Sequence, residues 1–261
     1  MPNFSANLWY LFQEMEMMDR FEAAARAGFK GVEFHFPYQW PAAQLAERLH
    51  DHGLKQVQIN APPGDWDGGD RGLAAMPGRV GEFRDSIGQA IEYADALDCG
   101  LIHVMAGVPG EPTDREKARE ILTENLILAA ELCDEKGIKV LIEALNPQDV
   151  PGYMIANTME ARTVIDDAGH GNLFLQYDLY HAAMNGEDLL AGVADNLDVI
   201  GHIQVAGVPG RHEPDGKCDI DCRALFDAID GLGYDGWIGC EYKPRAGTVE
   251  GLGWAKDYGI G

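Results

Sequence analysis

The stretch Gly137–Asn146, which reads GIKVLIEALN, decides how the fold is interpreted. Its apolar run, residues 138 to 142, has the length and composition of a strand buried on both faces in a parallel sheet. The run ends at Glu143, and a carboxylate beside buried apolar residues is costly to remove from water. We therefore expect Glu143 to lie at the end of the strand, where a metal ion, hydrogen bonds or a substrate can compensate for that cost.

Three further apolar runs end at a residue with a side-chain oxygen. Residues 173 to 177 precede Asp178, residues 199 to 203 precede Gln204, and residues 237 to 240 precede Glu241. Such oxygen ligands suit Mg²⁺ or Mn²⁺ better than zinc. Three carboxylates converging on one site would also repel each other unless a cation or raised pKa values relieved them. We therefore predict a divalent metal site formed by Glu143, Asp178, Gln204 and Glu241.

A helix that stops at glycine and leads directly into a strand is the repeating unit of the chain. The glycines at these stops are Gly28, Gly53, Gly100, Gly137 and Gly233. Eight strands are expected near residues 4–9, 32–36, 55–60, 101–105, 138–143, 173–178, 199–204 and 237–241. Helical patterns separate the strands, and examples span residues 19–27, 79–97 and 115–136.

This alternation predicts an α/β fold, a (β/α)₈ TIM barrel, because parallel strands need helical crossovers between them. The 261 residues match the roughly 250 of a typical barrel, so we expect one domain over residues 1–261. An open doubly wound sheet is the alternative. Its usual glycine fingerprint is missing after the first strand, which favours the barrel.

Composition restricts the partners. A formal net charge of −23 disfavours nucleic acid and membrane surfaces, which attract basic proteins. The opening residues lack the pattern of a signal peptide, and no apolar run is long enough to span a bilayer. The five cysteines are scattered through different predicted elements, which argues against a disulfide framework. These features predict a cytoplasmic protein that acts on a small molecule.

The glycine-dense loop Pro62–Gly72 follows the third strand, and in a barrel it would lie over the face where active sites form. Its glycines could cradle a phosphate, but no Gly-Lys-Ser/Thr follows them and the acidic residues would repel one. A flexible surface loop is one interpretation. The other, which its position favours, is a lid that carries Trp66 to exclude water and Arg71 to meet an anion.

Two other segments carry candidate substrate contacts. His181 lies about one helical turn beyond Asp178 and can reach the same mouth of the barrel, although it could equally bond to backbone. Arg211, in the loop after the seventh strand, offers a bidentate fork for a substrate carboxylate. His103 and His202 lie within predicted strands, and each is as consistent with a core histidine as with a functional one.

Several motifs resemble the hydroxypyruvate isomerase family of the xylose isomerase-like TIM barrels. They are GFKGVEF at residues 28–34, PGDW at 63–66, QYDLYH at 176–181, RHEP at 211–214 and GCEYKP at 239–244. The resemblance covers nearly the whole chain and keeps the order and spacing of the motifs. It departs from the family at Asp70, where glutamate is usual, and at residues 216–220, where Lys217 adds a cation near the mouth.

The resemblance implies a metal-dependent isomerase of hydroxy-oxo acids. It places the metal on Glu143, Asp178, Gln204 and Glu241, and it makes Glu143 and Glu241 the acid/base pair. We expect His181 to bond a reacting oxygen, while Arg211, Arg71 or Lys243 holds the substrate carboxylate and Trp66 closes the site. The expected reaction interconverts hydroxypyruvate and tartronate semialdehyde through an enediolate.

Other activities remain open from the sequence. A close branch of the family isomerises four-carbon 2-oxotetronates, and His103–Gly107 suits that branch while the Arg71 loop favours the three-carbon substrate. A ketose 3-epimerase would use a similar glutamate pair, and a sugar-acid-binding barrel would keep the pocket without turnover. A metal-dependent endonuclease is disfavoured by the charge. The short last helix makes a homo-oligomer possible, with a second subunit covering that edge.

Overall fold

The computed structural model describes residues 1–110 and 114–261. Its sheet is a closed barrel of parallel strands in which each strand pairs with its neighbours in sequence and the last pairs with the first. The strands are β1 (Asn3–Asn7), β2 (Gly31–Phe34), β3 (Lys55–Asn60), β4 (Leu101–His103), β5 (Lys139–Glu143), β6 (Leu173–Asp178), β7 (Ile200–Val205) and β8 (Trp237–Cys240). The predicted TIM barrel is therefore confirmed, with each strand within a few residues of its expected place.

Helices connect the strands and surround the barrel. The α-helices are α1 (Met17–Arg26), α2 (Ala42–His52), α3 (Val80–Ala96), α4 (Arg115–Asp134), α5 (Thr158–Ala168), α6 (Leu179–Met184), α7 (Leu189–Asn196), α8 (Cys222–Gly231) and α9 (Thr248–Gly251). Short 3₁₀ helices cover Pro37–Gln39 and Leu252–Tyr258. No helix in the described parts of the chain is both long and apolar enough to cross a membrane.

The predicted glycine stops are confirmed at four of the five positions. Gly28, Gly53, Gly137 and Gly233 have positive φ angles, the left-handed conformation that glycine adopts at low cost. The prediction of a glycine stop at Gly100 was wrong. The left-handed residue of that turn is Asp98, with φ of 49°, a conformation that aspartate tolerates better than most side chains.

The strands have two different faces. On β5, Val140 and Ile142 pack into the hydrophobic layer between barrel and helices, whereas Glu143 belongs to the polar interior. Polar side chains from opposite strands meet inside the barrel, as where Glu33 of β2 contacts His202 of β7 at 2.9 Å. Alternate residues of a strand point to opposite faces, so a polar residue every second position fills the interior without disturbing the outer core.

Candidate active site

A cavity of about 200 Å³ opens where β5, β6 and β8 end. Its wall includes Glu143, Gln176, His181, Arg211 and Glu241. This volume lies below the roughly 300–1,000 Å³ of pockets for drug-sized ligands, so the cavity suits a small metabolite. Functional residues at the carboxyl ends of barrel strands are the rule for this architecture.

The acidic residues form the centre of the site. Glu143, Asp178 and His181 each place one possible ligand atom within 4.8 Å of the others. Burial, together with the charges of Asp178 and Glu241, raises the pKa of Glu143 well above its usual value. Burial also raises the pKa of Asp178, to about 7, against the lowering effect of Arg211. Buried carboxyl groups that resist ionisation in this way fit a site completed by a divalent cation.

Arg211 links two of these carboxylates. Its Nη2 atom donates to Oε1 of Glu241 at 2.6 Å and to Oδ2 of Asp178 at 3.1 Å. The guanidinium also lies over the rings of Tyr10 and Tyr180, at 5.1 and 4.8 Å from their centroids. Arg211 therefore already neutralises part of the acidic cluster, and its backbone has the left-handed conformation, with φ of 56°.

The predicted ligand Gln204 is buried and takes part in an interior network. Its Oε1 atom accepts a hydrogen bond from Gln176 at 2.9 Å, and its Nε2 atom donates to Glu33 at 2.8 Å. Gln176 also donates to Oε2 of Glu143 at 3.1 Å. Since a carbonyl oxygen has two lone pairs, Gln204 keeps one for a metal ion. Its role as a ligand stays a prediction.

Hydrogen bonding defines the tautomer of His181. Its Nδ1 atom accepts from the backbone N–H of Asn146 at 3.1 Å, so the proton of the neutral ring resides on Nε2. That Nε2 atom lies 3.6 Å from Oδ2 of Asp178. Burial, and then the charge of Arg211, lower the pKa of His181 well below its usual value. His181 is thus a neutral N–H donor that faces the carboxylates, which is the role expected of a partner for a reacting oxygen.

His103 has the opposite tautomer. Its Nδ1 atom lies 3.2 Å from Oδ1 of Asn60, which already accepts a bond from Gln58. The proton is therefore on Nδ1, and the bare Nε2 lies 3.7 Å from Oε2 of Glu143. That Nε2 is buried and has no hydrogen-bond partner among the described residues, while His103 lines the cavity. Of the two interpretations left open by the sequence, this geometry favours a functional histidine.

His202 differs from His103. It is fully buried, contacts Glu33 and is not part of the cavity wall. Burial opposes ionisation of Glu33, but the charge and hydrogen bond of His202, with bonds from Gln204 and Ser5, outweigh it and lower the pKa of Glu33. His202 is therefore a structural partner that holds the Glu33 network together.

The loop 62–72 lies beside the cavity, and its role as a lid stays a prediction. Trp66 and Arg71 both line the cavity, and the Arg71 guanidinium lies 4.0 Å from the Trp66 ring centroid. Asp70 anchors the loop from outside, since it accepts from Arg79 at 2.8 Å and from the backbone N–H of Asp65 at 2.7 Å. The residue that departs from the family pattern is thus an anchor of the loop.

Two other predicted cations lie elsewhere. Lys243 has an exposed side chain that is not part of the cavity wall, and its backbone N–H donates to the carbonyl of Arg211 at 2.7 Å. Lys217 is likewise exposed and outside the wall. Within the cavity wall of the described structure, the arginines at 71 and 211 supply the cationic side chains.

Sequence reasoning missed several residues of the wall. His35 places Nε2 at 3.5 Å from Oε1 of Glu241 and stacks on Trp9. Asn60, Gln176 and Tyr10 also line the cavity. A polar residue at or just past a strand end, as at Asn60 and His35, was the signal that could have identified two of them.

Comparison with known proteins places this geometry in a family. Residues 21–258 match the model of the xylose isomerase-like TIM barrel family. The chain is 48% identical to a 2-oxo-tetronate isomerase of Cupriavidus necator over 99% of both chains. It is 42% identical to the hydroxypyruvate isomerase of Escherichia coli, over 99% of this chain and 100% of that one.

A solved structure has the same fold. The chain is 44% identical to a Brucella melitensis protein described as an AP endonuclease of family 2, with a TM-score of 0.96 over 99% of both chains. The class defined by the fold and the strand-end acids is that of the xylose isomerase-like TIM barrels. Within that class, the chain belongs to the hydroxypyruvate isomerase family. The two isomerases named above each match 99% of its length.

Proposed function

We propose that this protein is a sugar-acid isomerase that moves a carbonyl group from C2 to C3 of a short 2-oxo acid. A four-carbon 2-oxo-tetronate is the first candidate substrate, because the 48% identical relative carries that name. Hydroxypyruvate, which isomerises to tartronate semialdehyde by the same chemistry, is the second, because of the Escherichia coli relative. The observation that carries the proposal is the presence of Glu143 and Glu241 in the wall of one cavity.

The reaction needs two proton transfers at carbon. The C2 carbonyl acidifies the proton on C3, and its removal leaves a planar 2,3-enediolate. Protonation of C2 then gives the isomer, while the O3 hydroxyl proton leaves and O2 gains one. Glu143 ends β5 and Glu241 follows β8, three strands further around the barrel, so the two carboxylates approach the intermediate from different sides. One carboxylate removes the C3 proton, and the other carboxyl group serves the protonation of C2.

The substrate oxygens need partners while charge develops on them. The neutral Nε2–H of His181 is a donor for an enediolate oxygen, as neutral imidazoles serve in other isomerases. The bare Nε2 of His103 can accept a hydrogen bond from a substrate hydroxyl, while the ring itself stays neutral. Glu143, Asp178, Gln204 and Glu241 would hold the divalent cation, Mg²⁺ or Mn²⁺. When bound, such a cation supplies Lewis-acid stabilisation of negative oxygen.

Arg71 is the best candidate for the substrate carboxylate. Its Nη1 atom donates to the backbone carbonyls of Trp66 and Asp70, at 3.1 and 2.6 Å, and no carboxylate of the described residues forms an ion pair with it. Arg211, in contrast, is committed to Asp178 and Glu241. Arg71 therefore keeps charge for an anion, and Trp66 packs against it at the edge of the cavity.

The test is turnover of 2-oxo-tetronate and hydroxypyruvate, side by side with Mg²⁺, Mn²⁺ or a chelator. Glu143→Gln and Glu241→Gln should each lower kcat by roughly 10²-fold or more, the usual contribution of a general acid or base. Glu47→Gln, at an exposed position on α2, is the matched control and should leave kcat unchanged. In D₂O the product should carry deuterium at the newly protonated carbon. Full activity in both active-site variants would overturn the glutamate pair.

The same assay separates the alternatives. Turnover of a neutral ketose but not of either acid would indicate a 3-epimerase. Tight binding of the acids without turnover would indicate a binding protein. The Brucella melitensis structure is named as an AP endonuclease, so cleavage of abasic DNA is a further alternative. The net charge of −23 disfavours it. An abasic duplex added to the assay would detect such cleavage.

A further inference from the structure

Two cysteines lie close together away from the catalytic cavity, where the loop 206–221 meets α8. The Sγ atoms of Cys218 and Cys222 are 3.6 Å apart. A disulfide has an S–S distance of about 2.05 Å, so the two sulfurs need to approach by only about 1.5 Å to form one. The other cysteines, Cys99, Cys133 and Cys240, are buried and free.

The pair is open to small reagents on one side. Both cysteines line a surface groove of about 510 Å³, together with Pro214, Asp215 and Trp254. Cys218 is partly exposed, whereas Cys222 has only 3% of its surface exposed. Burial, with the neighbouring Cys218, raises the pKa of Cys222, so this sulfur remains a thiol. The two sulfurs are thus unequal, as in pairs where one thiol is oxidised first and the other resolves the product.

We propose that Cys218 and Cys222 form a redox-active dithiol, which a hydroperoxide converts to an intramolecular disulfide that alters the loop carrying Arg211. The Cys218 thiolate attacks the terminal peroxide oxygen and breaks the O–O bond, giving a sulfenic acid and, with hydrogen peroxide, water. The Cys222 sulfur then attacks the sulfenic sulfur and releases a second water. Two thiols and one peroxide give one disulfide and two waters, and a thiol reductant reverses the change.

Packing connects this pair to Arg211. A side-chain carbon placed on Gly207 would lie 2.9 Å from Cβ of Cys218, so Cys218 packs directly on the first turn of the loop. The backbone N–H of Asp219 donates to the carbonyl of Val208, at 2.6 Å, and ties the two ends of the loop together. The backbone N–H of Gly207 donates to the carbonyl of His212, at 2.8 Å, and ties the start of the loop to its middle. Since Arg211 lies between these ties, a displaced Cys218 displaces the guanidinium from its carboxylates.

The loop effect rests on the proposed function, but disulfide formation does not. Trypsin cleaves after Lys217 and Arg223, so both cysteines fall in the single peptide Cys218–Arg223. Treatment of the reduced, folded protein with equimolar hydrogen peroxide should lower the mass of this peptide by two hydrogens. Peptides with Cys99, Cys133 or Cys240 should keep free thiols. Phenylarsine oxide, which bridges close dithiols, should bind once per chain and fail to bind Cys218→Ser.

Disulfide formation and its effect on Arg211 have separate readouts. A peptide that keeps both thiols, or in which Cys218 oxidises to sulfinic acid without a disulfide, overturns the dithiol. Where the disulfide forms, kcat/KM should fall roughly tenfold or more, because small misplacements of a positioning group are costly, and dithiothreitol should restore it. Unchanged kcat/KM in the oxidised enzyme overturns the link to Arg211. Cys222→Ser, which cannot form the bond, should keep its kcat/KM after peroxide.

Discussion

The Nη2 atom of Arg211 lies 2.6 Å from Oε1 of Glu241, although the two residues follow different strands. The same atom donates to Asp178, so one guanidinium partly neutralises two of the predicted metal ligands. A cation at this position reduces the repulsion between these carboxylates. A divalent cation held by the predicted ligands would share these carboxylates with Arg211.

We expect Arg211→Lys to lower kcat/KM by roughly 100-fold, the usual effect of removing one oriented donor from an active site. Lysine keeps the charge, but its single Nζ cannot bond both acids and also replace the Nε bond of Arg211 to the backbone carbonyl of Glu241, at 3.3 Å. Arg211→Met should in addition bind Mg²⁺ more tightly in isothermal titration calorimetry, because a competing cation is lost. Arg84→Lys, at an exposed position on α3, is the control. Unaltered kinetics in Arg211→Lys would contradict the assigned role.

Metal affinity should rise steeply with pH around neutrality. The pKa of Asp178 is raised to about 7, so this group is largely protonated at pH 6 in the metal-free protein and ionised at pH 8. Metal ions compete with these protons, and the apparent affinity should increase by up to about tenfold per pH unit for each proton released. Calorimetry in buffers of different ionisation enthalpy counts the protons. Asp178→Asn should bind metal more weakly and release fewer protons, and a pH-independent affinity of wild type would be the contrary result.

Asp178 also affects the stability of the metal-free protein. Its pKa is higher in the folded state than its usual value of 3.8, so the folded state binds the extra proton between pH 3.8 and about 7. The stabilisation from this proton is present below pH 3.8 and is lost as the pH rises through about 7. The free energy of unfolding should therefore fall less between pH 6 and pH 8 in Asp178→Asn than in wild type, as urea titrations can measure.

His103 should remain neutral through the working range of pH. Burial, and then the charges of His35 and His202, lower its pKa to about 3. In ¹⁵N NMR spectra its resonances should not titrate between pH 5 and pH 8, and the proton should be on Nδ1. His181 should show the opposite tautomer. His103→Asn identifies the signal, and a proton on Nε2 of His103 would contradict the proposed acceptor role.

Glu33 should be essential for stability. It is fully buried and accepts from Ser5 at 2.7 Å and from Gln204 at 2.8 Å, besides its contact with His202. Glu33→Ala removes one partner of a buried pair and should lower the free energy of unfolding by about 3–5 kcal/mol. Glu47→Ala, at an exposed position, should change it by less than about 0.5 kcal/mol.

A substitution at Gly239 tests the same hydrogen-bond network around Glu33. A side-chain carbon on Gly239 would lie 2.3 Å from Oε1 of Glu33, closer than packed atoms approach. Gly239→Ala should therefore also destabilise the protein, and its effect should not add to that of Glu33→Ala, which removes the clashing atoms. Strict additivity of the two changes in urea titrations would show that they act independently.

Arg71→Met should raise KM for the acid substrates by roughly tenfold or more and change kcat much less, because the carboxylate is bound equally in ground state and transition state. Lys243→Met, whose side chain lies outside the cavity wall, is the matched control and should leave KM unchanged. A larger effect at Lys243 than at Arg71 would reverse the assignment.

Much of the fold was predictable because the repeating signals are local. The apolar runs, the glycines that end helices and the spacing of helical patterns each depend on a few neighbouring residues. The exception at Asp98 arose because another residue took the left-handed conformation that Gly100 was expected to supply. Strand-end acids such as Glu143 and Glu241 were identifiable for the same reason, since an acid after a buried run is unusual wherever the chain goes.

Sequence alone thus established the barrel and the acidic strand ends, but only the tertiary structure decided how the site is arranged. The tautomers of His103 and His181 depend on Asn60 and Asn146, and the contact between Asn7 and Glu241 joins residues 234 positions apart. The separation of Arg71 from Lys243 follows from the path of two loops. Hydrogen bonds act over about 3 Å, so they are set by which strands closure of the barrel brings together, and no local pattern encodes that.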